Sequence, residues 1–336
     1  MTLAFIALGL DHRHIFGMTE QMLATGARCL GYWTEGTPQP LPGFVKRFPD
    51  LPRFETLDAA LAVGADLALI SAVPADRADL AVRAMHTGHD VMTDKPGCTT
   101  FAQLDQVRAA VAETRRIWSI NFSERFEVPC VTLAEMLVAD GEIGRVVHTT
   151  GLGPHRLNRP TRPDWFFARE RYGGVLTDIA SHQIDQFLHF TRSSDAQVTM
   201  AHVANHANPD TPGLQDFGEV ALRSDHASGY IRVDWFTPDA LPNWGDGRLT
   251  LLGTEGYIEL RKYVDVAGRA GTDHLVLVNG SRCETIDARD AGLPYFGRLV
   301  HDIAHRTETA MSQAHCFKVM ELALTAQSLA EGGVSG

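Results

Sequence analysis

Leu3-Ala4-Phe5-Ile6-Ala7-Leu8-Gly9-Leu10-Asp11-His12-Arg13-His14, near the start of the chain, is the stretch whose reading decides the fold. Residues 3–8 are an apolar run too brief for a helix, and the run stops at Gly9. Asp11 is placed to cap a following helix, because its carboxylate accepts from the first free N–H groups. Ile15, Met18, Met22 and Leu23 share one face of that helix, and Gly26 ends it. The pattern then repeats. Strands over 29–33, 66–73, 90–93 and 116–121 alternate with helices over 57–61, 78–86 and 101–113. Such alternation over short connections predicts a parallel, doubly wound α/β sheet spanning 1–121.

From 122 to 336 the texture changes. A helix is expected over 128–139 and a strand over 146–150, followed by a loop rich in Arg, Pro and Asn. Gly173-Gly174 precedes a helix from about 175 to 190. Strand-like segments over 196–203, 218–222, 228–236, 248–252, 257–260 and 274–278 have no helices between them, which predicts an open, mostly antiparallel sheet. Two helices, 295–306 and 312–331, complete a larger α+β domain.

Composition narrows the function. A chain of 336 residues suits two domains. Its 30 Lys and Arg against 41 Asp and Glu leave a formal charge of −11, which argues against nucleic-acid or anionic-membrane partners. Apolar stretches such as 67–73 are far shorter than the roughly 20 residues of a membrane span. The first residues lack the basic region of a signal peptide. Cys29, Cys98, Cys130, Cys283 and Cys316 are scattered, with no C-x-x-C, as expected for free thiols in a reducing cytoplasm.

The turn after the first strand invites a dinucleotide, since a helix N-terminus offers N–H groups and partial positive charge to a pyrophosphate. A G-x-G-x-x-G fingerprint would cover Ala7 to His12, and of its glycines Gly9 alone is present. Asp11 opposes a pyrophosphate, whereas Arg13, and His12 or His14 when protonated, attract it. Thr34 occupies the usual position of the ribose-binding acid, with Glu35 one residue later. Glu35 favours NAD over NADP, and no arginine stands beside it to receive a 2′-phosphate.

Three later segments carry a resemblance. They are Asp94-Lys95-Pro96, then Gly173-Gly174-Val175-Leu176-Thr177-Asp178-Ile179-Ala180-Ser181-His182, then Gly253-Thr254-Glu255-Gly256. In this order and spacing, with Asn121 and Arg125 at the domain join, the chain resembles the Gfo/Idh/MocA family of oxidoreductases. The resemblance implies a Rossmann domain holding NAD or NADP, with Val73, Pro74, Asp94, Lys95 and Asn121 at the cofactor. It implies a second domain that completes the site and mediates a homodimer or homotetramer. The family's catalytic Lys, Asp and His fall on Lys95, Asp178 and His182. Asp94 stands where the family has Glu. Ala75-Asp76-Arg77 stands where it often has Asn and His; Arg77 reads as a solvated charge at a helix start or as a contact to phosphate or substrate.

The chemistry agrees with that assignment. Asp178 and His182 are four apart and share a helix face, with Asp185 three further on. Oxidising an alcohol requires removal of its hydroxyl proton, a task suited to the His182 imidazole. Asp178 would orient that ring or bond the substrate, and Lys95 would stabilise charge developing on the oxygen. A loop over 154–171 offers His155, Arg156, Arg162, Asp164, Trp165 and Arg169 to the substrate, alongside Arg125. Aromatic surface suits a sugar or polyol, and arginines suit a hydroxy acid. Two histidine pairs at i, i+4, His301 with His305 and His202 with His206, lack an evident third ligand, so no metal is expected. Two other readings stay open: a non-catalytic nucleotide-binding sensor, and a redox-assisted lyase or glycosidase that retains NAD.

Overall fold

A computed structural model describes residues 2–332; Met1 and 333–336, at the ends of the two expected domains, lie outside the described residues. In chain order the elements are β1 (Ala4–Leu10), α1 (His14–Ala24), β2 (Arg28–Trp33), α2 (Leu41–Arg47), α3 (Leu57–Leu61), β3 (Leu67–Ser71), α4 (Arg77–His86), β4 (Asp90–Asp94), α5 (Phe101–Thr114) and β5 (Trp118–Asn121). Then follow α6 (Ser123–Phe126), α7 (Pro129–Ala139), β6 (Val146–Pro154), α8 (Arg169–Tyr172), α9 (Val175–Asp178), α10 (Ala180–Thr191), β7 (Gln197–Ala204), β8 (Phe217–Arg223) and β9 (Ser228–Asp234). The chain ends with β10 (Arg248–Gly253), β11 (Gly256–Arg261), β12 (His274–Asn279), β13 (Cys283–Asp287), α11 (Pro294–His305) and α12 (Gln313–Ala330).

Two compact units result. The first takes everything up to Asn121, with Pro163–Gly173 and Tyr295–Met320. Its five strands form a parallel sheet in the order β2-β1-β3-β4-β5. Every residue of β1, β3, β4 and β5 is buried, as parallel strands covered on both faces require. The edge strand β5 is closed by a side chain: Gln313 accepts from the Trp118 N–H at 3.0 Å and donates to its carbonyl at 3.1 Å. Arg306 forks onto Asp90 at 2.7 and 3.1 Å, and Arg171 forks onto Asp76 at 3.0 and 2.6 Å. These pairs fasten the two later segments to the unit.

The second unit takes Phe122–Arg162, Gly174–Pro294 and the chain from Glu321 on. Its eight-stranded sheet runs β13-β12-β11-β10-β6-β9-β8-β7, with β6 and β9 parallel and every other pairing antiparallel. Val131, Ala134 and Leu137 of α7 pack with Leu249, Leu251, Ile258, Leu260 and Leu277. On β9, a Cβ at Gly229 would lie 2.7 Å from the Phe187 ring of α10, so glycine is what lets this helix approach.

Gly174 starts the helical segment of this unit at φ +89°. Its Cα faces the Gln327 amide so closely that an added Cβ would overlap it. That amide has a job: Gln327 Oε1 accepts from the Leu176 N–H and Gln215 Oε1 from the Val175 N–H, both at 3.0 Å. The first N–H groups of α9 are thereby satisfied. Gly174→Ala is expected to cost about 2–3 kcal/mol through strained backbone and a displaced Gln327. A denaturant titration of variant and parent measures it, and an unchanged midpoint would contradict this packing.

Candidate functional site

In the first unit, β1 delivers the chain to Gly9, which turns at φ +68°. A Cβ there would lie 2.5 Å from that of Ala72, so only glycine fits. The Asp11 and His12 N–H groups both donate to the Ser71 carbonyl at 3.0 Å. The helix therefore begins only at His14, with Arg13 as its N-cap, no side-chain cap and no acid in its first turn. This corrects the expectation that Asp11 caps α1; its carboxylate instead accepts from the Val73 backbone N–H. Burial pushes the Asp11 carboxyl up to about 6, against the pull of the Arg77 guanidinium.

At the tip of β2, Thr34 is buried and its hydroxyl accepts from the Leu10 N–H at 3.2 Å, while Glu35 is exposed. The expectation that no arginine stands here is also corrected. A bridge between Tyr32 and Arg53 brings in a guanidinium that donates to the carbonyls of Thr34 at 3.1 Å and Gly36 at 2.9 Å.

Arg77 is neither a solvated charge nor open to a phosphate or substrate. It is fully buried and holds the segment after β4. Its Nε donates to Ala72 O at 2.8 Å, its Nη1 to the carbonyls of Lys95 and Pro96, and its Nη2 to Asp94 Oδ2 at 3.1 Å. Asp94 is buried too, and it accepts from the Lys95 N–H at 2.8 Å. His12 Nδ1 lies 2.8 Å from one Asp94 oxygen and His14 Nδ1 lies 2.7 Å from the other. Burial alone would raise the Asp94 carboxyl, but His14, Arg77 and His12 outweigh it and hold it well below the usual range. Desolvation draws His12 down to about 4, so this ring is neutral at pH 7. Lys95, Val73, Pro74 and Asn121 are all buried at the C-terminal ends of β3, β4 and β5, the end where open α/β sheets bind ligands. Arg13 is exposed.

In the second unit the expected single helix is broken at Ile179, with Asp178 ending α9 and His182 on α10. Asp178 is half-buried; His182 is buried, with the Phe122 ring edge-on at 6.2 Å. Asp185 is engaged by Arg125, which forks onto it with two bonds of 2.7 Å. Arg156 donates to Pro238 O at 2.8 Å, and Arg162 donates to Leu157 O at 2.8 Å while lying over Trp235. The expected substrate arginines are thus anchored within their own unit. Trp165 is half-buried beside Phe166 in the first unit. Sequence reasoning also missed Lys262, fully buried on Glu124 at 2.7 Å and Gln186 at 3.0 Å. Burial would raise Glu124, but the Lys262 ammonium outweighs it and brings it down to about 2.

A family model for the GFO/IDH/MocA C-terminal domain matches residues 131–259. Among solved structures, a protein from Erwinia carotovora atroseptica described as an oxidoreductase is 43% identical, with a TM-score of 0.94 over 97% of this chain and 98% of its own. Aldose-aldose oxidoreductase from Caulobacter crescentus, complexed with glycerol, is 18% identical, with a TM-score of 0.78 over 99% of both chains. The WlbA dehydrogenase from Chromobacterium violaceum, in complex with NADH and UDP-GlcNAcA, is 17% identical, with a TM-score of 0.77 over 98% of this chain and 94% of its own. The last two share the fold. No curated protein matches the chain.

Proposed function

Because the chain belongs to the Gfo/Idh/MocA family of oxidoreductases, we propose that it is an NAD(P)-dependent dehydrogenase or reductase acting on a CH–OH group of a sugar or polyol. The observation that carries this reading is the hold on Asp94-Lys95-Pro96, where a fully buried guanidinium fixes the segment bearing the family's catalytic lysine.

The first unit fits a dinucleotide. Gly9 leaves no room for a side chain at the turn, and α1 has no acid in its first turn, so the positive end of its dipole suits a pyrophosphate. Arg13 would join them, Thr34 and Glu35 would take the ribose, and Arg53 would receive a 2′-phosphate. When bound, the nicotinamide supplies the acceptor or donor of the hydride. Lys95 donates to the substrate oxygen and stabilises the negative charge that develops there. His182 takes the hydroxyl proton in the oxidising direction and returns it in the reducing one. Asp178 orients that imidazole or bonds the substrate. The substrate arginines are held by carbonyls and Asp185, which favours a hydroxyl-rich substrate over a carboxylate. The glycerol held by one structural relative and the UDP-GlcNAcA held by another point the same way.

Among the described residues no helix is long and apolar enough to cross a membrane. Five free cysteines support a cytoplasmic setting. The expected homodimer or homotetramer belongs to the same reading.

Calorimetry with NAD and NADP, followed by a polyol and sugar panel scored for NADH or NADPH, tests it. Binding of at least one dinucleotide and turnover of at least one substrate are expected. Arg53→Ala should weaken NADP at least about tenfold, the loss of one charge-assisted contact, and leave NAD nearly unchanged. Failure of both dinucleotides to bind at millimolar concentration would remove the reading. Binding without turnover across the panel would favour a sensor.

A further inference from the structure

A cluster at the end of the first sheet has a chemistry that hydride transfer does not use. The turn after Gly9 is pinned by the Ser71 carbonyl, which accepts from both Asp11 and His12 N–H. The i, i+2 spacing then sets the His12 and His14 rings edge to face, with centroids 4.3 Å apart. β4 lies next to β3, so Asp94 at its C-terminal end comes beneath both rings. Each imidazole directs Nδ1 at a different Asp94 oxygen, at 2.8 and 2.7 Å. One ligand atom from each of the three residues falls within 4.8 Å of the others, and among the described residues no other group of three does so.

We propose that His12, His14 and Asp94 form a binding site for one divalent transition-metal ion of the zinc class. Two neutral imidazoles and one carboxylate are the nitrogen and oxygen donors such ions take, at about 2.0–2.2 Å. Ligand atoms on one such ion stand about 3.3–3.5 Å apart, so small ring rotations bring the three donors onto one ion, each Nδ1 giving up the proton it shares with Asp94 to its own Nε2 or to solvent. The carboxylate is fully buried, while the His12 and His14 side chains are 23% and 31% exposed. An ion therefore enters from the solvent side, and three protein ligands leave it a position for water. The supporting layer is in place. Arg77 Nη2 at 3.1 Å and Ser71 Oγ at 3.3 Å hold one Asp94 oxygen, and the Lys95 N–H holds the other at 2.8 Å. The adjacent Arg77 charge moderates the affinity. The other histidine pairs lack this arrangement: the His301 and His305 rings on α11 are tilted by 40° with centroids 4.3 Å apart, and His202 faces Glu219 at 3.7 Å.

The test uses the full chain, stripped with a chelator and free of dinucleotide, so its outcome is independent of the redox reading. Co2+ is titrated in and followed by its visible absorption, and Zn2+ is then titrated as a competitor. One ion per chain is expected. His12→Asn and His14→Asn should each weaken binding at least about tenfold, with unchanged circular dichroism. The double variant His301→Ala/His305→Ala should bind as the parent does. Substoichiometric binding would overturn the proposal. So would affinity that survives both asparagine variants, or that disappears in the His301/His305 variant.

Discussion

Replacing Arg77 with methionine is expected to lower the folding free energy by about 3–5 kcal/mol, the usual loss when one partner of a buried ion pair is removed. Methionine keeps most of the stem volume, so the change isolates the guanidinium. What remains is a fully buried Asp94 carboxylate without its arginine. The carbonyls of Ala72, Lys95 and Pro96 lose a donor as well. The comparison is Arg83→Met. Arg83 lies 2.7 Å from Asp58, closer than Arg77 lies to Asp94, but both side chains are more than half exposed. Water and salt screen that pair, and its removal should change stability by less than about 1 kcal/mol. Urea midpoints of the two variants at pH 7 give the contrast. Adding Asp94→Asn to Arg77→Met should produce a loss smaller than the sum of the singles, because the stranded charge is gone. Equal midpoints for Arg77→Met and Arg83→Met would show that Arg77 is not the clamp described.

The difference between these arginines marks what was legible in the sequence. The five-stranded alternation was, because period and punctuation are local: the expected strand over 90–93 and helix over 101–113 differ from β4 and α5 by one residue at the C-terminal end. Arg77 was not, because its partners lie 17 to 19 residues on, at the end of another strand. A charge at a helix start looks solvated until the neighbouring strand is placed beside it. Arg53 escaped for the same reason, since a single bridge to Tyr32 brings it to the tip of β2. The start of α1 was misplaced because the competitor for the Asp11 and His12 N–H groups is Ser71, about sixty residues away. β13 was missed because Cys283-Glu284-Thr285-Ile286-Asp287 is a mostly exposed edge strand whose one apolar residue against the core, Ile286, is too little to show an alternation. Lys95, Asp178 and His182 rest on spacing and family resemblance, since no local pattern assigns them a role.

Replacing Lys95 with methionine, or His182 with asparagine, is expected to reduce kcat/KM by at least about a hundredfold, the lower range for acid–base catalysis and about 2.7 kcal/mol of transition-state stabilisation. Each residue is nearly inaccessible, at 5% and 2%, so each variant must first show a parental circular dichroism spectrum and urea midpoint. Methionine keeps the lysine stem, and asparagine approximates the imidazole edge, which limits repacking around Phe122. His182→Asn should keep its dinucleotide affinity, because the proposed role of His182 is the substrate proton, while Gly9, α1 and Arg53 are the groups proposed to hold the dinucleotide. If the two residues serve one proton-transfer event, the double variant should be little slower than the slower single one. Independent contributions would multiply instead. Near-parental rates in both single variants, with a substrate the parent turns over, would end the assignment of Lys95 and His182 as catalytic.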